Sequence, residues 1–311
     1  MLMDSITHIL SGAVVSSLGI RQKLGKEGVV LFIIATSFAD LDFVLNIIGK
    51  TVYVRFHRGF THSLFWLPFL ALLLAFIFHF FSRADFKLLY LISFSGMLMH
   101  IAFDVLNSYG TPILSPFTAK NFALDIDIIL DLYFILPFLL GWMGAAICPC
   151  WQKKIAAIVI IFIAAGVLGR YIQKERAMLL LKERAPAAKL NVLPQSPDTI
   201  YNPFMWQGVE RKEEGYSVYL INTLGNKIKS ASDFAYRYEV LKKYIPESEY
   251  LRDFIRWSRF PYADIEYTGD KILINAGDLR FNTGGGRNYI LKVVITNGKL
   301  LSENFSFRDK H

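Results

Sequence analysis

Six apolar segments constrain this chain more than any other feature of its sequence. They lie at about 6–20, 28–48, 63–82, 88–107, 127–147 and 155–172. A membrane-spanning helix needs roughly 20 apolar residues, with a range of about 17–25, and the second to fifth segments meet that length. The first segment is shorter and favours a tilted or half-buried helix. Because the connections are short, the pattern predicts an α-helical membrane bundle of about five to six helices.

The composition changes after Arg170. Residues 1–173 hold 21 charged side chains, whereas residues 174–311 hold 39. Strand-like runs in which Tyr, Val and Ile alternate with polar residues begin at Gly215, and they are separated by turn signals such as TGD and TNGK. We therefore predict a membrane-embedded helical domain at 1–173, a helical linker at 174–189 and a soluble β-rich (α+β) domain at 190–311.

The net charge of +8 is shared between the two parts of the chain. Charge alone therefore indicates no nucleic-acid partner, while a modest basic excess suits an anionic membrane surface. We expect membrane lipids as partners. The Lys and Arg residues of the short loops favour one orientation and those after the last segment favour the other, so the positive-inside rule leaves the orientation open.

Ionisable side chains lie in or beside the apolar segments. Each such side chain adds at least roughly 2.5–3.5 kcal/mol to the free energy of inserting a helix into the membrane. In an up-and-down bundle, the starts of odd-numbered segments and the ends of even-numbered segments share one side of the membrane. Five separated stretches therefore converge on one face, and they carry His8, Asp40, Asp42, His57, His62, His100, Asp104, Asp125, Asp127 and Asp131.

Two pairs in this set, Asp4 with His8 and His100 with Asp104, have the i,i+4 spacing that places both side chains on one helix face. Imidazole and carboxylate groups together suit zinc or manganese. Asp40 and Asp42 lie about 200° apart around a helix. We therefore predict Asp40 as a ligand, and Asp42 as a turn cap, a ligand of a second ion or a residue that orients a ligating His.

Two interpretations compete with a metal site. Each His or Asp alone could be a helix cap or an interfacial residue. A proton or ion pathway also uses Asp and His within the membrane, but it needs polar residues across the whole bilayer. The sixth segment contains no acidic residue, so a transporter is the least favoured reading.

The motifs DSITH, ADLD, HRGFTHS and HIAFDVLNSYGTPILSPF resemble the YdjM-like family of membrane-bound metal-dependent hydrolases, over roughly residues 1–135. That family is remotely similar to zinc-dependent phospholipase C and the single-strand nucleases, which are helical enzymes that hold zinc and cleave phosphodiesters. The resemblance implies an integral protein of the prokaryotic plasma (inner) membrane and a metal-binding role for the 1–173 domain.

The resemblance also implies roles for individual residues. Asp104 matches a position that bridges two metals, and Asp125 and Asp131 match later acidic positions of the motif. The remote relatives complete a third metal site with further His and Glu residues, but here no His follows His100 until His311. One or two divalent ions are therefore expected, zinc before manganese, on a ligand set of His8, Asp40, His57, His62, His100 and Asp104.

The leading hypothesis is a membrane-bound hydrolase that uses metal-activated water on a phosphodiester or an anionic, lipid-linked substrate. Asp42 or another carboxylate would act as a general base. Arg58, with Arg55, would bind the anionic group or, as an equal alternative, contact lipid headgroups. The alternative is a non-catalytic, metal-stabilised membrane scaffold whose β-rich domain mediates interactions. Hydrolysis that His100→Ala abolishes would separate the two hypotheses.

Overall fold

The apolar segments fold as helices that are shorter, in several cases, than the sequence predicts. A computed structural model describes residues 4–49, 57–128, 131–185, 189–195, 202–283, 286–287 and 290–306. The described residues form two units, one made from residues up to 48 and from 57–170, and the other mainly from residue 171 onward.

Helices build the first unit. The short 3-10 helices are Ser16–Leu18, Ala39–Val44, Phe60–His62 and Pro149–Trp151. The α-helices are α1 (Asp4–Val15), α2 (Ile20–Ser37), α3 (Leu45–Ile48), α4 (Leu67–His79), α5 (Phe86–Leu106), α6 (Leu132–Ile147) and α7 (Gln152–Arg184). The last of these, α7, supplies residues to both units.

Two stretches of the described chain are long and apolar enough to cross a membrane, Phe86–Leu106 and Pro149–Arg184. Shorter apolar helices form at Ser5–Leu18, Leu67–His79 and Leu132–Ile147. Among the described residues, the second, third and fifth segments form no helix of spanning length, so the predicted membrane bundle is confirmed only as a helical unit. α2 ends at Ser37 and α4 begins at Leu67. Between them lie the 3-10 helices Ala39–Val44 and Phe60–His62, which carry candidate site residues.

The packing of α2 against α5 fixes one side of the candidate site. A Cβ atom on Gly96 of α5 would lie 2.6 Å from the Cβ atom of Ala35 in α2, so only glycine permits this approach. One turn further along α5, the Nδ1 atom of His100 lies 2.7 Å from the carbonyl oxygen of Thr36. The Oγ1 atom of Thr36 also donates to the carbonyl oxygen of His8, at 3.0 Å. Thr36 therefore ties α1, α2 and α5 together.

The second unit contains two four-stranded antiparallel sheets, which confirms the β-rich prediction for this part of the chain. The strand orders are β1-β2-β3-β4 and β10-β9-β6-β5. The strands are β1 (Lys189–Pro194), β2 (Met205–Arg211), β3 (Gly215–Asn222), β4 (Lys227–Ala235), β5 (Pro261–Thr268), β6 (Lys271–Asp278), β7 (Asn282–Thr283), β8 (Gly286–Arg287), β9 (Ile290–Thr296) and β10 (Lys299–Ser306).

Local sequence explains the hairpins and the helices of this unit. Asn297 and Gly298 form the two-residue turn between β9 and β10 with φ values of 51° and 74°, as a tight hairpin requires. Two helices, α8 (Tyr238–Tyr244) and α9 (Glu249–Trp257), follow β4. The side chain of Ser248 caps α9 by accepting from the Leu251 amide, and α9 packs its apolar face on β6 and β9.

Candidate metal centre

Four separated segments bring five of the predicted ligands together. His8 comes from α1, Asp40 and His62 come from two 3-10 helices, and His100 and Asp104 come from α5. The His62 and His100 side chains are fully buried, and His8 and Asp104 are 1% exposed. Such burial of histidines and carboxylates requires compensating partners, since an isolated buried charge is costly.

The tightest group consists of His62, His100 and Asp104. The Nε2 atoms of the two histidines lie 3.1 Å apart. The Oδ2 atom of Asp104 lies 3.1 Å from Nε2 of His62 and 3.5 Å from Nε2 of His100. With bonds of about 2.0–2.2 Å, the ligand atoms of a tetrahedral zinc site lie about 3.3–3.6 Å apart. The three atoms therefore fit one face of such a site.

A second group, His8, Asp40 and His100, adjoins the first, and its ligand atoms lie within 4.8 Å of one another. Oδ1 of Asp40 lies 3.7 Å from Nε2 of His100 and 3.9 Å from Nε2 of His62. The ring of His8 stacks on that of His100 at a centroid distance of 3.8 Å. Both groups use His100, whose Nδ1 atom already contacts the Thr36 carbonyl.

Sharing His100 limits the number of ions. An imidazole nitrogen has a single lone pair, so Nε2 of His100 can bind one ion and not two. The two groups therefore cannot both be complete ligand sets at the same time. The geometry fits one ion on His62, His100 and Asp104, with Asp40 as the nearest further oxygen and His8 beside it.

Further contacts hold the atoms of these side chains that face away from the centre. Such contacts are usual for metal-binding histidines and carboxylates. His100 contacts the Thr36 carbonyl oxygen through Nδ1, and Nδ1 of His62 lies 2.9 Å from Oγ1 of Thr61. The Oγ atom of Ser5 donates to Oδ2 of Asp40 at 2.8 Å. Burial lowers the pKa of His62 to about 4.

Asp42 faces the loop that carries His62. Its carboxylate accepts from the Arg58 amide at 2.9 Å and from Oγ1 of Thr61 at 3.2 Å, and it lies 2.9 Å from Nδ1 of His57. Although burial opposes ionisation, the hydrogen bond and charge of His57 hold the pKa of Asp42 below its ordinary value. These contacts of Asp42 hold the 57–62 segment in place. His57 itself belongs to neither ligand group.

The Arg58 guanidinium lies inside the unit. Nη2 is 2.9 Å from Oδ1 of Asp104, and Nη1 donates to Oγ1 of Thr111 at 3.1 Å. The guanidinium carbon also lies 4.5 Å from the ring centroid of Tyr109. Since Arg58 is only 4% exposed, its charge is directed to a candidate ligand instead of an open surface. Arg55 and the side chain of Asp4 lie outside the described residues.

Asp127 and Asp131 form a separate cluster, and its cation was missed by the sequence analysis. Arg170 of α7 contacts Asp131, and its Nη1 atom lies 2.9 Å from Oδ1 of Asp127. Asp131 also caps α6 by accepting from the Tyr133 amide at 2.7 Å. Burial and the neighbouring Asp131 raise the pKa of Asp127 well above its ordinary value. A lone Arg in the sixth apolar segment was the signal for this cluster.

Comparison with known proteins identifies a family to which most of the helical unit is similar. The family described as YdjM inner membrane protein matches residues 3–177. A relative from Bacillus subtilis (strain 168), named Uncharacterized protein YfhP, is 29% identical over 193 residues, which cover 58% of this chain and 57% of the relative. The matched part thus spans little more than half of that relative. No solved structure matches the chain.

The family match includes every segment that supplies the candidate centre, from α1 to α5, and both helices of spanning length begin within it. Since the match extends over more than half of the residues, the chain belongs to the YdjM family of inner membrane proteins.

Proposed function

We propose that this protein is a membrane-bound hydrolase that depends on one divalent ion held by His62, His100, Asp104 and Asp40. The observation that carries the proposal is the set of distances of 3.1, 3.1 and 3.5 Å among Nε2 of His62, Nε2 of His100 and Oδ2 of Asp104. Two imidazoles and two carboxylates suit zinc first and manganese second.

The ion, when bound, would lower the pKa of a water molecule toward about 7 and polarise the scissile group. The chain's own residues would keep the ligands in place. Arg58 orients Asp104 through Oδ1, so that Oδ2 points to the two histidines. Ser5 holds the far oxygen of Asp40, which leaves Oδ1 on the side of the centre.

Asp42 enters this proposal as a positioning residue, not as the general base predicted from the sequence. Three donors engage its carboxylate, and Oδ2 lies 3.8 Å from Nδ1 of His62, the nitrogen remote from the centre. Arg58 is likewise assigned to Asp104 and not to substrate. The proposed substrate class, phosphodiesters, derives from the family resemblance of the motifs.

We also propose that the shorter apolar helices lie in the membrane beside α5 and α7. Their outward side chains are apolar and exposed, as in Phe69 and Leu72 of α4 and Leu136 and Leu140 of α6. α4 has 13 residues, and a helix of that length rises about 20 Å. It would therefore enter the bilayer from one side without crossing the roughly 30 Å hydrocarbon core.

Hydrolysis by the purified full chain tests the catalytic proposal. We expect zinc- or manganese-loaded protein to hydrolyse bis(p-nitrophenyl) phosphate, and His100→Ala to lose that activity because it removes a ligand. His79→Ala is the matched control, since His79 ends α4 away from the centre. Equal activity in wild type and His100→Ala would contradict the proposal.

The second candidate function is a non-catalytic, metal-stabilised scaffold. The burial of the candidate ligands favours it. Structural metal sites are fully coordinated and buried, whereas catalytic sites keep an open position. His62 and His100 are fully buried here. This candidate predicts bound metal and a lower melting temperature in ligand variants, with no turnover of any phosphodiester.

A further inference from the structure

The helix ends that lie away from the candidate centre meet at one end of the helical unit. Ser82, just after α4, donates its hydroxyl to Oε2 of Glu27 in α2 at 2.9 Å. A Cβ atom on Gly141 of α6 would lie 3.6 Å from Cγ2 of Val14, near the end of α1. The turn between α1 and α2, the loop between α4 and α5 and the loop between α6 and α7 therefore share this end of the unit.

This end is strongly basic. Among the described residues, seven exposed Lys and Arg side chains lie there, against two acidic side chains, Glu27 and Asp85. The term basic face refers below to the seven basic residues, which are Arg21, Lys23, Lys26, Arg83, Lys87, Lys153 and Lys154. The Nζ atom of Lys154 lies 4.6 Å from the ring centroid of Trp151, and Trp is enriched where proteins meet the membrane–water interface.

The end that carries the candidate centre has few exposed basic side chains. Arg58 and Arg170 are 4% and 5% exposed, and both are paired with buried carboxylates. Within the described part of the first unit, Lys120 is the one exposed basic residue at this end. Lys50 and Arg55 lie outside the described residues, and counting both for this end would still give three basic side chains against seven.

The basic residues in the last part of α7 do not offset this difference. Four of them belong to the second unit, which resumes at residue 171, namely Lys174, Arg176, Lys182 and Arg184. Ala177 and Leu181, in the same part of the helix, are buried in a core of that unit. Long domains cross the membrane largely regardless of their charge, whereas the charges beside the first helix usually dominate the orientation. Three members of the basic face lie in α2, directly after that first helix.

We propose that the basic face lies at the cytoplasmic surface of the inner membrane and that the candidate centre faces the opposite, extracytoplasmic side. Cytoplasmic loops of membrane proteins carry an excess of Lys and Arg, and the anionic cytoplasmic leaflet attracts such side chains. The catalytic meaning of this orientation rests on the hydrolase proposed above. The substrate of that hydrolase would reach the centre from outside the cytoplasm.

Native cysteines make the orientation measurable. Cys148 and Cys150 are exposed between α6 and α7, at the basic face. For the other end, Ala119→Cys is introduced into a Cys148→Ser, Cys150→Ser background. Ala119 is exposed, and its loop is tied to the centre by the contact of Thr111 with Arg58. A membrane-impermeant maleimide is applied to bacterial spheroplasts that express the full chain, and each signal is divided by the labelling obtained in detergent.

We expect the maleimide to label Ala119→Cys in closed spheroplasts and to label the native Cys148 and Cys150 only after lysis. The reverse pattern, or equal labelling of both ends in closed spheroplasts, would overturn the proposal.

Neutralising part of the basic face tests what sets the orientation. Combining Arg21→Gln, Lys23→Gln and Lys26→Gln should raise the share of chains whose native cysteines are labelled in closed spheroplasts, because the charge difference between the two ends falls. The control combines Lys182→Gln with Arg184→Gln in the exposed last turn of α7 and should leave that share unchanged. A larger shift in the control than in the triple variant would overturn the assignment.

Turnover by closed spheroplasts separates this proposal from the proposed function. If the purified protein hydrolyses bis(p-nitrophenyl) phosphate, closed spheroplasts should hydrolyse the externally added compound above the background of His100→Ala, and external EDTA should abolish the difference. Activity that appears only after lysis would overturn the orientation and leave the hydrolase intact. The expected labelling without turnover by the purified protein would support the orientation and refute the hydrolase.

Discussion

At the scale of single residues, the buried pair of Arg58 and Asp104 links the candidate centre to the loop that supplies His62. Arg58 adopts a left-handed backbone conformation, with φ of 59°. Its amide is held by Asp42 and its guanidinium by Asp104. The HRGFTH motif thus carries a candidate ligand, a charge partner for another candidate ligand and the residues that hold both in place.

Arg58→Ala should leave the Asp104 carboxylate buried without its cationic partner. Removal of one member of a buried ion pair typically costs about 3–5 kcal/mol, and we expect a loss of that size in the free energy of unfolding of the metal-free protein. Chemical denaturation in detergent measures it. Arg21→Ala, at an exposed position in α2, should change stability little, and a similar loss in both variants would contradict the assignment.

A second buried pair predicts how stability depends on pH. Burial opposes ionisation of Asp278, but the Arg280 guanidinium, at 2.9 Å, and the hydrogen bond from Ser258 hold the pKa of Asp278 below its ordinary 3.8. A carboxyl with a lowered folded-state pKa stabilises the protein above its unfolded-state pKa, and that stabilisation disappears as the pH falls through the folded-state pKa.

The wild type should therefore lose stability below about pH 4 more steeply than Asp278→Asn. The melting temperature of the β-rich unit, followed by circular dichroism from pH 7 to pH 3, measures the slope. Asp270→Asn removes an exposed carboxyl and should keep the wild-type slope. Parallel curves for wild type and Asp278→Asn would disprove the role of Asp278.

The sequence predicted that most of the candidate His and Asp ligands come together. It did not predict which acidic side chains pair with the buried arginines. The i,i+4 spacing of His100 and Asp104 is a local property and can be read directly. The contacts of Arg58 with Asp104 and of Arg170 with Asp127 and Asp131 join residues more than 38 positions apart. Because long-range packing decides such pairs, the sequence analysis predicted Arg58 as a contact for the substrate and predicted no acidic partner for Arg170.

At the scale of secondary-structure elements, hydrophobicity predicted where helices occur better than where they end. The fourth and sixth apolar segments correspond to α5 and to the first part of α7. The second segment was predicted to run to residue 48, but α2 ends at Ser37 and is followed by the 3-10 helix Ala39–Val44, which carries Asp40 and Asp42. In the second unit, alternation and turn residues identified β3, β5, β6, β9 and β10.

Gly96→Ala tests whether close packing of α2 and α5 sets the position of His100. The added methyl group would meet the Ala35 side chain, and overpacking of this kind costs about 1–3 kcal/mol. We expect that loss in stability together with weaker metal binding. Gly166→Ala in α7, where a Cβ meets nothing within 4 Å, should stabilise the helix by up to about 1 kcal/mol. Unchanged metal affinity in Gly96→Ala would contradict the coupling.

At the scale of the whole molecule, the proposed activity belongs to the helical unit of a YdjM-family inner membrane protein. The candidate ligands all lie between residues 8 and 104, within the part that the family match covers. The sequence indicated one or two ions. Both ligand groups use His100, and the proposal is therefore a single ion.

The number of metal ions per chain tests this account most directly. Inductively coupled plasma mass spectrometry of the detergent-purified full chain, after exposure to zinc and removal of free ion, gives the stoichiometry. We predict one zinc per chain, lost in a His62→Ala, Asp104→Asn double variant and retained in His79→Ala. Two ions per chain, or no ion in a folded wild type, would contradict the single centre on which the proposed function depends.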